Sequence, residues 1–323
     1  MSENVPGNAS APAIPDGHPL SPTWLDKPAY LLNVPFSLSA EIANNAWMTE
    51  LDAPHRQVDA VKAVNQFFQL YHFMAAEALV YLLPTPKAPP LQDLVYCANL
   101  GIVLDHLTER DVVVLSNFSV ANRLPETGVG KTFFGSMGYE VLTPPFHFEG
   151  EAELKHLHDN VYLGGYGTRS DRRAYDWMAE RFDMRIVALE ETEPYLYHLD
   201  CTVFPLTRET TLVCTEMYTR EELAAIEQVT EIVDVSVDDC FSGICNSIRL
   251  GNILLNASNI QDMKPSDQYY EDEKRKNRAL EDIAVRFGFE VAYFNLSEYL
   301  KSGALLSCMV MHLNRKSYDI VLL

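Results

Sequence analysis

Hydrophobic positions along the chain fall into two kinds of run. Short apolar stretches of strand length occur at residues 112–115, 185–189, 211–214, 253–255, 290–294 and 308–312. Each is too short for a helix and predicts a strand. Between them lie longer segments in which apolar residues recur every three or four positions, at 57–83, 171–182, 220–226 and 271–287; these predict amphipathic helices. The last carries alternating charges and stops just before Gly288, a residue suited to a helix end. Strands outnumber helices, and their order reads as strand–strand–helix–strand rather than strict alternation, which predicts an α/β fold of mixed units. No repeat is visible at the level of residue identity.

Nothing resembling a linker interrupts the chain after residue 25, so one domain is expected over 25–323. Residues 1–24 are rich in Ser, Pro, Ala and Asn and are expected to form a disordered leader. The leader has neither a basic start nor an apolar segment, so it does not read as a secretory signal, and a cytoplasmic location is expected. No run of about 18 apolar residues exists to span a membrane.

Composition narrows the partners. Apolar residues make up 47% of the 323 positions, enough for a substantial core. Acidic residues outnumber basic ones by 45 to 25, for a formal charge of −20. That balance argues against nucleic acid, whose phosphates need clustered Lys and Arg, and favours cationic small molecules. The six Cys residues show no paired spacing, and no Cys/His pattern suits zinc, so buried thiols and no metal are expected.

Two glycine clusters invite phosphate chemistry and do not support it. Gly128-Val129-Gly130-Lys131-Thr132 lacks the earlier glycine of a phosphate loop, having Pro125 there. Gly164-Gly165-Tyr166-Gly167 never completes a dinucleotide fingerprint and reads instead as a place of close backbone approach.

The sharper chemistry lies in Tyr197-His198-Leu199-Asp200-Cys201-Thr202-Val203-Phe204 and in Ser302-Gly303-Ala304-Leu305-Leu306-Ser307-Cys308. Read as a strand, the first run puts His198 and Asp200 on one face. A Cys and a His distant in sequence are a candidate nucleophile and proton shuttle, and the neighbouring carboxylate points to a positively charged substrate.

Further segments then line up in order: Asn45-Ala46-Trp47-Met48, Asp93-Leu94-Val95-Tyr96-Cys97-Ala98-Asn99-Leu100-Gly101, Leu115-Ser116-Asn117-Phe118, Arg123 with Glu126, Phe148-Glu149-Gly150, Gly165-Tyr166-Gly167-Thr168-Arg169, His198-Leu199-Asp200 and the ending at Cys308. In this order they resemble the guanidino-group modifying superfamily, which includes arginine deiminase, dimethylarginine dimethylaminohydrolase, amidinotransferases and arginine dihydrolases. The resemblance implies a five-bladed α/β propeller (pentein) of pseudo-symmetric ββαβ units, no cofactor, a small guanidino substrate and a homo-oligomer as an assembly to consider.

By that resemblance Cys308 matches the nucleophile, His198 the general acid/base and Glu149 the carboxylate behind it. Asp93 and Asp200 match the acids that grip the guanidinium, and Arg123 and Arg169 the cations for the substrate carboxylate. Asn45 matches a position at the mouth of the site. Asn99 departs from the deiminases and dimethylargininases, which carry an acid there. A neutral amide both donates and accepts hydrogen bonds and so suits a neutral ureido group. The segment Tyr96-Cys97-Ala98-Asn99 looks most like the dihydrolase branch, implying ornithine, carbon dioxide and ammonia as products. Dimethylargininase, deiminase, amidinotransferase and a non-catalytic arginine-binding scaffold are the alternatives. Glu149-Gly150-Glu151-Ala152-Glu153 also departs from the family, with Glu153 in place of an expected Asp.

Overall fold

A computed structural model describes residues 26–320; the leader expected over 1–24 lies outside them. In chain order the elements are β1 (Ala29–Asn33), α1 (Ala46–Glu50), α2 (Ala60–Glu77), β2 (Leu79–Leu83), β3 (Gly101–Val103), β4 (Val112–Leu115), α3 (Glu126–Ser136), β5 (Glu140–Leu142), β6 (Leu154–His158), β7 (Val161–Tyr166), α4 (Arg172–Phe182) and β8 (Arg185–Glu190). They continue with β9 (Val203–Pro205), β10 (Thr210–Val213), α5 (Arg220–Glu227), β11 (Glu231–Asp234), α6 (Val237–Phe241), β12 (Ile248–Leu250), β13 (Ile253–Ala257), α7 (Tyr270–Phe287), β14 (Glu290–Phe294), α8 (Ser297–Leu300), α9 (Leu306–Met309) and β15 (Met311–His312).

The strands form five sheets of three. Four sheets follow one recipe: an antiparallel hairpin, a helix, then a third strand parallel to the second, as in β3–β4–α3–β5, β6–β7–α4–β8, β9–β10–α5–β11 and β12–β13–α7–β14. The fifth joins both ends of the described chain: β15 pairs antiparallel with β1, and β2 returns through α2 to lie parallel to β1. Burial falls from the first two strands to the third of each unit. Val112, Val113, Val114 and Leu115 of β4 are fully buried, whereas Glu140, Val141 and Leu142 of β5 are not. The first strands meet their neighbours, β15 against β3 and β6 against β9.

Local chemistry fixes the helix ends. Asp171 caps α4 by accepting from the Arg173 amide, Thr219 and Glu222 form a reciprocal cap on α5, and Gly288 ends α7 at φ 77°. Three expectations change. The helix expected over 57–83 stops at Glu77, and Leu79–Leu83 is a strand, because parallel pairing with β1 overrides an apolar run that fits either period. The strand expected over 308–312 keeps only Met311 and His312, with Cys308 in the short helix α9. The extended run expected from Tyr197 is broken by a 3-10 turn at Leu199–Cys201. The Gly128–Thr132 stretch lies inside α3 and forms no loop.

Candidate active site

Each unit's first strand is entered through a short turn or loop, and these entries carry the candidate residues. A 3-10 turn at Cys97–Asn99 precedes β3, one at Gly150–Ala152 precedes β6 and one at Leu199–Cys201 precedes β9. Residue 246 sits just before β12, and α9 precedes β15. Glu149 and His198 occupy the same place, the residue before the turn. Gly150 lets two of these turns touch. At φ 67° it lies against the 97–99 turn so closely that a Cβ would fall 2.4 Å from the Ala98 carbonyl oxygen.

The turns bring three of the expected residues into one hydrogen-bonded line. His198 Nε2 lies 2.9 Å from Glu149 Oε2, and His198 Nδ1 lies 3.3 Å from Asn99 Nδ2. Glu149 also accepts from the Ser119 hydroxyl (2.9 Å), and Arg169 Nη1 lies 3.7 Å from its Oε1. Burial pushes the Glu149 carboxyl up, but the His198 hydrogen bond and the charges of His198, Arg169 and Arg123 outweigh it and hold the group at about 2. The ionised Glu149 accepts from Nε2–H, which leaves Nδ1, beside the Asn99 amide, as the ring nitrogen free to gain or lose a proton.

Cys308 reaches the same cavity from α9. Its Sγ donates towards Asp200 Oδ2 (3.6 Å) and accepts from Asn246 Nδ2 (3.4 Å). Asp200 Oδ2 also accepts from the Ser307 hydroxyl at 2.6 Å. Burial first, then the Asp200 carboxylate, pushes the Cys308 thiol up to about 12, against the Asn246 hydrogen bond. The side chain beside the sulfur is an acid.

Asp93 is buried, accepts from Asn44 Nδ2 (2.7 Å) and Gln92 Nε2 (3.1 Å), and is raised by burial against the charge of Arg123. Arg123 lies against Phe118 and directs Nε and Nη2 at Glu126, with Nη2–Oε2 at 2.8 Å. That partner is the structural alternative to a substrate carboxylate. Arg169 points inward, its Nη2 donating to the Asn44 carbonyl (2.6 Å) and its guanidinium over the Tyr197 ring.

Asn45 lines the cavity, but its side chain is occupied: Oδ1 caps α1 through the Met48 amide (2.9 Å) and Nδ2 donates to the Ser302 carbonyl (2.9 Å). Its neighbour Asn44 touches the acid Asp93. Sequence reasoning missed Asn44, Tyr197, Ser307 and Asn246. Asn246 alone left a signal. It stands two residues before β12, as Asn99 stands two before β3.

Asn44, Asn45, Asp93, Tyr96, Asn99, Arg123, Arg169, Tyr197, His198, Ser302, Ala304 and Cys308 enclose a cavity of about 20 Å³, room for a single water molecule. Seven of the nine expected site residues lie on this wall, and the other two, Glu149 and Asp200, are directly behind it.

Comparison with known proteins agrees with this architecture. The chain is similar to the bifunctional arginine dihydrolase/ornithine cyclodeaminase AgrE of Nostoc sp., 26% identical over 296 residues, 90% of this chain and 38% of that protein. It is similar also to the N(G),N(G)-dimethylarginine dimethylaminohydrolase of Mycobacterium tuberculosis, 26% identical over 294 residues, 88% of this chain and 85% of that one. The chain thus spans little more than a third of the bifunctional relative. The solved N-terminal domain of ArgZ, a cyanobacterial arginine dihydrolase, shares the fold with a TM-score of 0.76 at 23% identity, covering 90% of this chain and 98% of that domain. The model of the eukaryotic N,N dimethylarginine dimethylhydrolase family matches residues 34–315, and the chain belongs to that family.

Proposed function

We propose that the protein hydrolyses the guanidino group of arginine through a covalent thiouronium on Cys308, and that it acts as an arginine dihydrolase. In this reading residues 25–323 are one catalytic unit, and the five sheets are the blades of a five-bladed α/β propeller with the site at its centre. The observation that carries the reading is the convergence of Cys308, His198 and Asn99 on one buried cavity, with Asp200 directly behind the sulfur.

Before substrate binds, the site holds a neutral thiol beside a carboxylate. A bound guanidinium would supply the missing positive charge, offsetting Asp200 and Asp93 and favouring thiolate at the moment of attack. Asp200 and Asp93 hold the planar cation, and Arg169 and Arg123 face the α-carboxylate; for Arg123 this requires sharing its guanidinium with Glu126. The cavity must widen before a molecule of arginine's size enters.

The Cys308 thiol proton passes to His198 Nδ1 as the sulfur adds to the guanidinium carbon, and His198 passes that proton on to the departing ammonia as the carbon–nitrogen bond breaks. His198 then takes a proton from water as the water attacks the thiouronium, the carbon–sulfur bond breaks and a ureido group forms. Glu149 keeps the imidazole oriented throughout. The amide of Asn99 suits the neutral ureido group, which can be attacked a second time. One arginine and two waters then yield ornithine, carbon dioxide and two ammonia.

The family match favours a second reading, in which methylated arginine is cleaved once to citrulline. Incubation of the purified protein with arginine, methylated arginines, citrulline and agmatine separates the two. Two ammonia per ornithine, with no lasting citrulline, supports the dihydrolase. Citrulline as the stable end product overturns it.

A further inference from the structure

A second pair of acids lies next to the candidate site and has no part in the steps above. Glu153 follows the turn before β6, and Glu191 follows β8; both are buried. Their carboxyl groups crowd the same point above Gly165 of β7. A Cβ there would fall 2.8 Å from Glu153 Oε2 and 2.7 Å from Glu191 Oε1, so the absence of a side chain at 165 makes the space for them. Glu153 Oε2 accepts from the Leu199 amide at 3.2 Å, inside the turn that joins His198 to Asp200. Glu153 Oε1 and both oxygens of Glu191 have no hydrogen-bond donor among the described residues.

Two ionised carboxylates with a single donor between them are not stable in such a place. A proton held between them removes one charge and gives an orphaned oxygen its donor. We propose that Glu153 and Glu191 share one proton, and that this acid–carboxylate pair positions the His198–Asp200 turn through the Leu199 amide. The inference rests on the reading of His198 as the acid/base. Burial, above all, pushes Glu153 up to about 7 and raises Glu191 as well.

The groups that face the pair are His198, Asp200 and Cys201 from the turn before β9, Glu149 from the turn before β6, Tyr175 from α4 and Tyr218 from the segment before α5. Only one of these, His198, is able to carry a positive charge. Loss of the shared proton would leave two negative charges beside Glu149 and Asp200, and the turn would loosen.

The test compares wild type with Glu191→Gln and Glu153→Gln, since an amide donates the hydrogen bond that the shared proton provides. Unfolding stability is measured in urea from pH 5 to pH 9, without substrate. The folded wild type keeps a proton that the unfolded chain has released above about pH 4, so its stability falls as pH rises. Each Gln variant is expected to lose about one proton's worth of that slope. With arginine, the alkaline limb of kcat/KM is expected to move up by about one pH unit or more in Glu191→Gln. Slopes equal to wild type in both variants would overturn the shared proton. So would failure of both to fold, because the neutral amide would then be no substitute. A wild type that releases no product from arginine defeats the functional reading alone, and the stability slopes still decide the pair.

Discussion

The amide nitrogen of Asn99 lies 3.3 Å from Nδ1 of His198, and the far side of the same ring is held by Glu149. The imidazole is therefore bracketed by a neutral donor on one side and a carboxylate on the other. Replacing Asn99 with Asp puts a second negative charge against the ring. That charge favours the imidazolium and a cationic guanidinium, and disfavours a neutral ureido group. Asn99→Asp is expected to stop after the first hydrolysis, raising the citrulline-to-ornithine ratio from arginine about tenfold or more, a difference of about 1.4 kcal/mol between the two steps. Amino-acid analysis of the reaction mixture measures it. An unchanged ratio removes Asn99 from the argument.

The thiol of Cys308 makes a prediction with two opposite signs. Burial and Asp200 raise it to about 12, so at neutral pH it is protonated and slow to alkylate. Asp200→Asn removes the nearby negative charge and lowers the thiol's pKa, so alkylation by iodoacetamide should quicken. The same change removes a grip on the guanidinium, so turnover should fall, by at least about 100-fold. Mass spectrometry of the alkylated protein and an ammonia assay read the two effects. Cys308→Ser should abolish turnover while leaving the fold intact.

Glu149 links the site to stability. Its folded carboxyl is held at about 2, below its ordinary value. A depressed acid stabilises the fold above its unfolded pKa, and that contribution is lost as pH falls through the folded one. The loss should therefore develop between about pH 5 and pH 2. Glu149→Gln is expected to flatten the fall in urea midpoint over this window and to lower kcat by about 100-fold, since the ring loses the carboxylate that fixes its tautomer. Equal pH dependence in the two proteins would exclude an ionised Glu149.

Much of this was legible in the residues, and the reasons differ from element to element. Segments such as 112–115 and 290–294 are buried middle strands or half-exposed third strands long enough to show a run. Gly101–Val103, Val203–Pro205 and Ile248–Leu250 have three residues each and leave no period to detect. Alternation along 197–204 pointed at a shared cavity for His198 and Asp200 by the wrong route. A 3-10 turn, not a strand, puts His198 on the cavity wall and Asp200 directly behind it, against the Cys308 sulfur. The bond from Asn45 Nδ2 to the Ser302 carbonyl and the contact of Asn246 with Cys308 join residues 257 and 62 positions apart, which no local pattern reveals.

The contact between the first two turns supplies the last prediction. Gly150 adopts φ 67°, and a methyl group there would lie 2.4 Å from the Ala98 carbonyl oxygen and 2.8 Å from the Asn99 carbonyl carbon. Gly150→Ala adds both a left-handed backbone penalty and a clash that only backbone movement relieves. The turn holding Asn99 must then part from the turn that follows Glu149, and His198 cannot keep both partners. A loss of at least about 2 kcal/mol in urea unfolding is expected, together with a fall in kcat larger than the loss of folded protein explains. Ser116 ties the first turn from its other side, donating to the Asn99 carbonyl at 2.5 Å, so the displacement falls on the Glu149 side. A Gly150→Ala protein with wild-type stability and turnover would mean that the two turns do not need this contact to assemble the site.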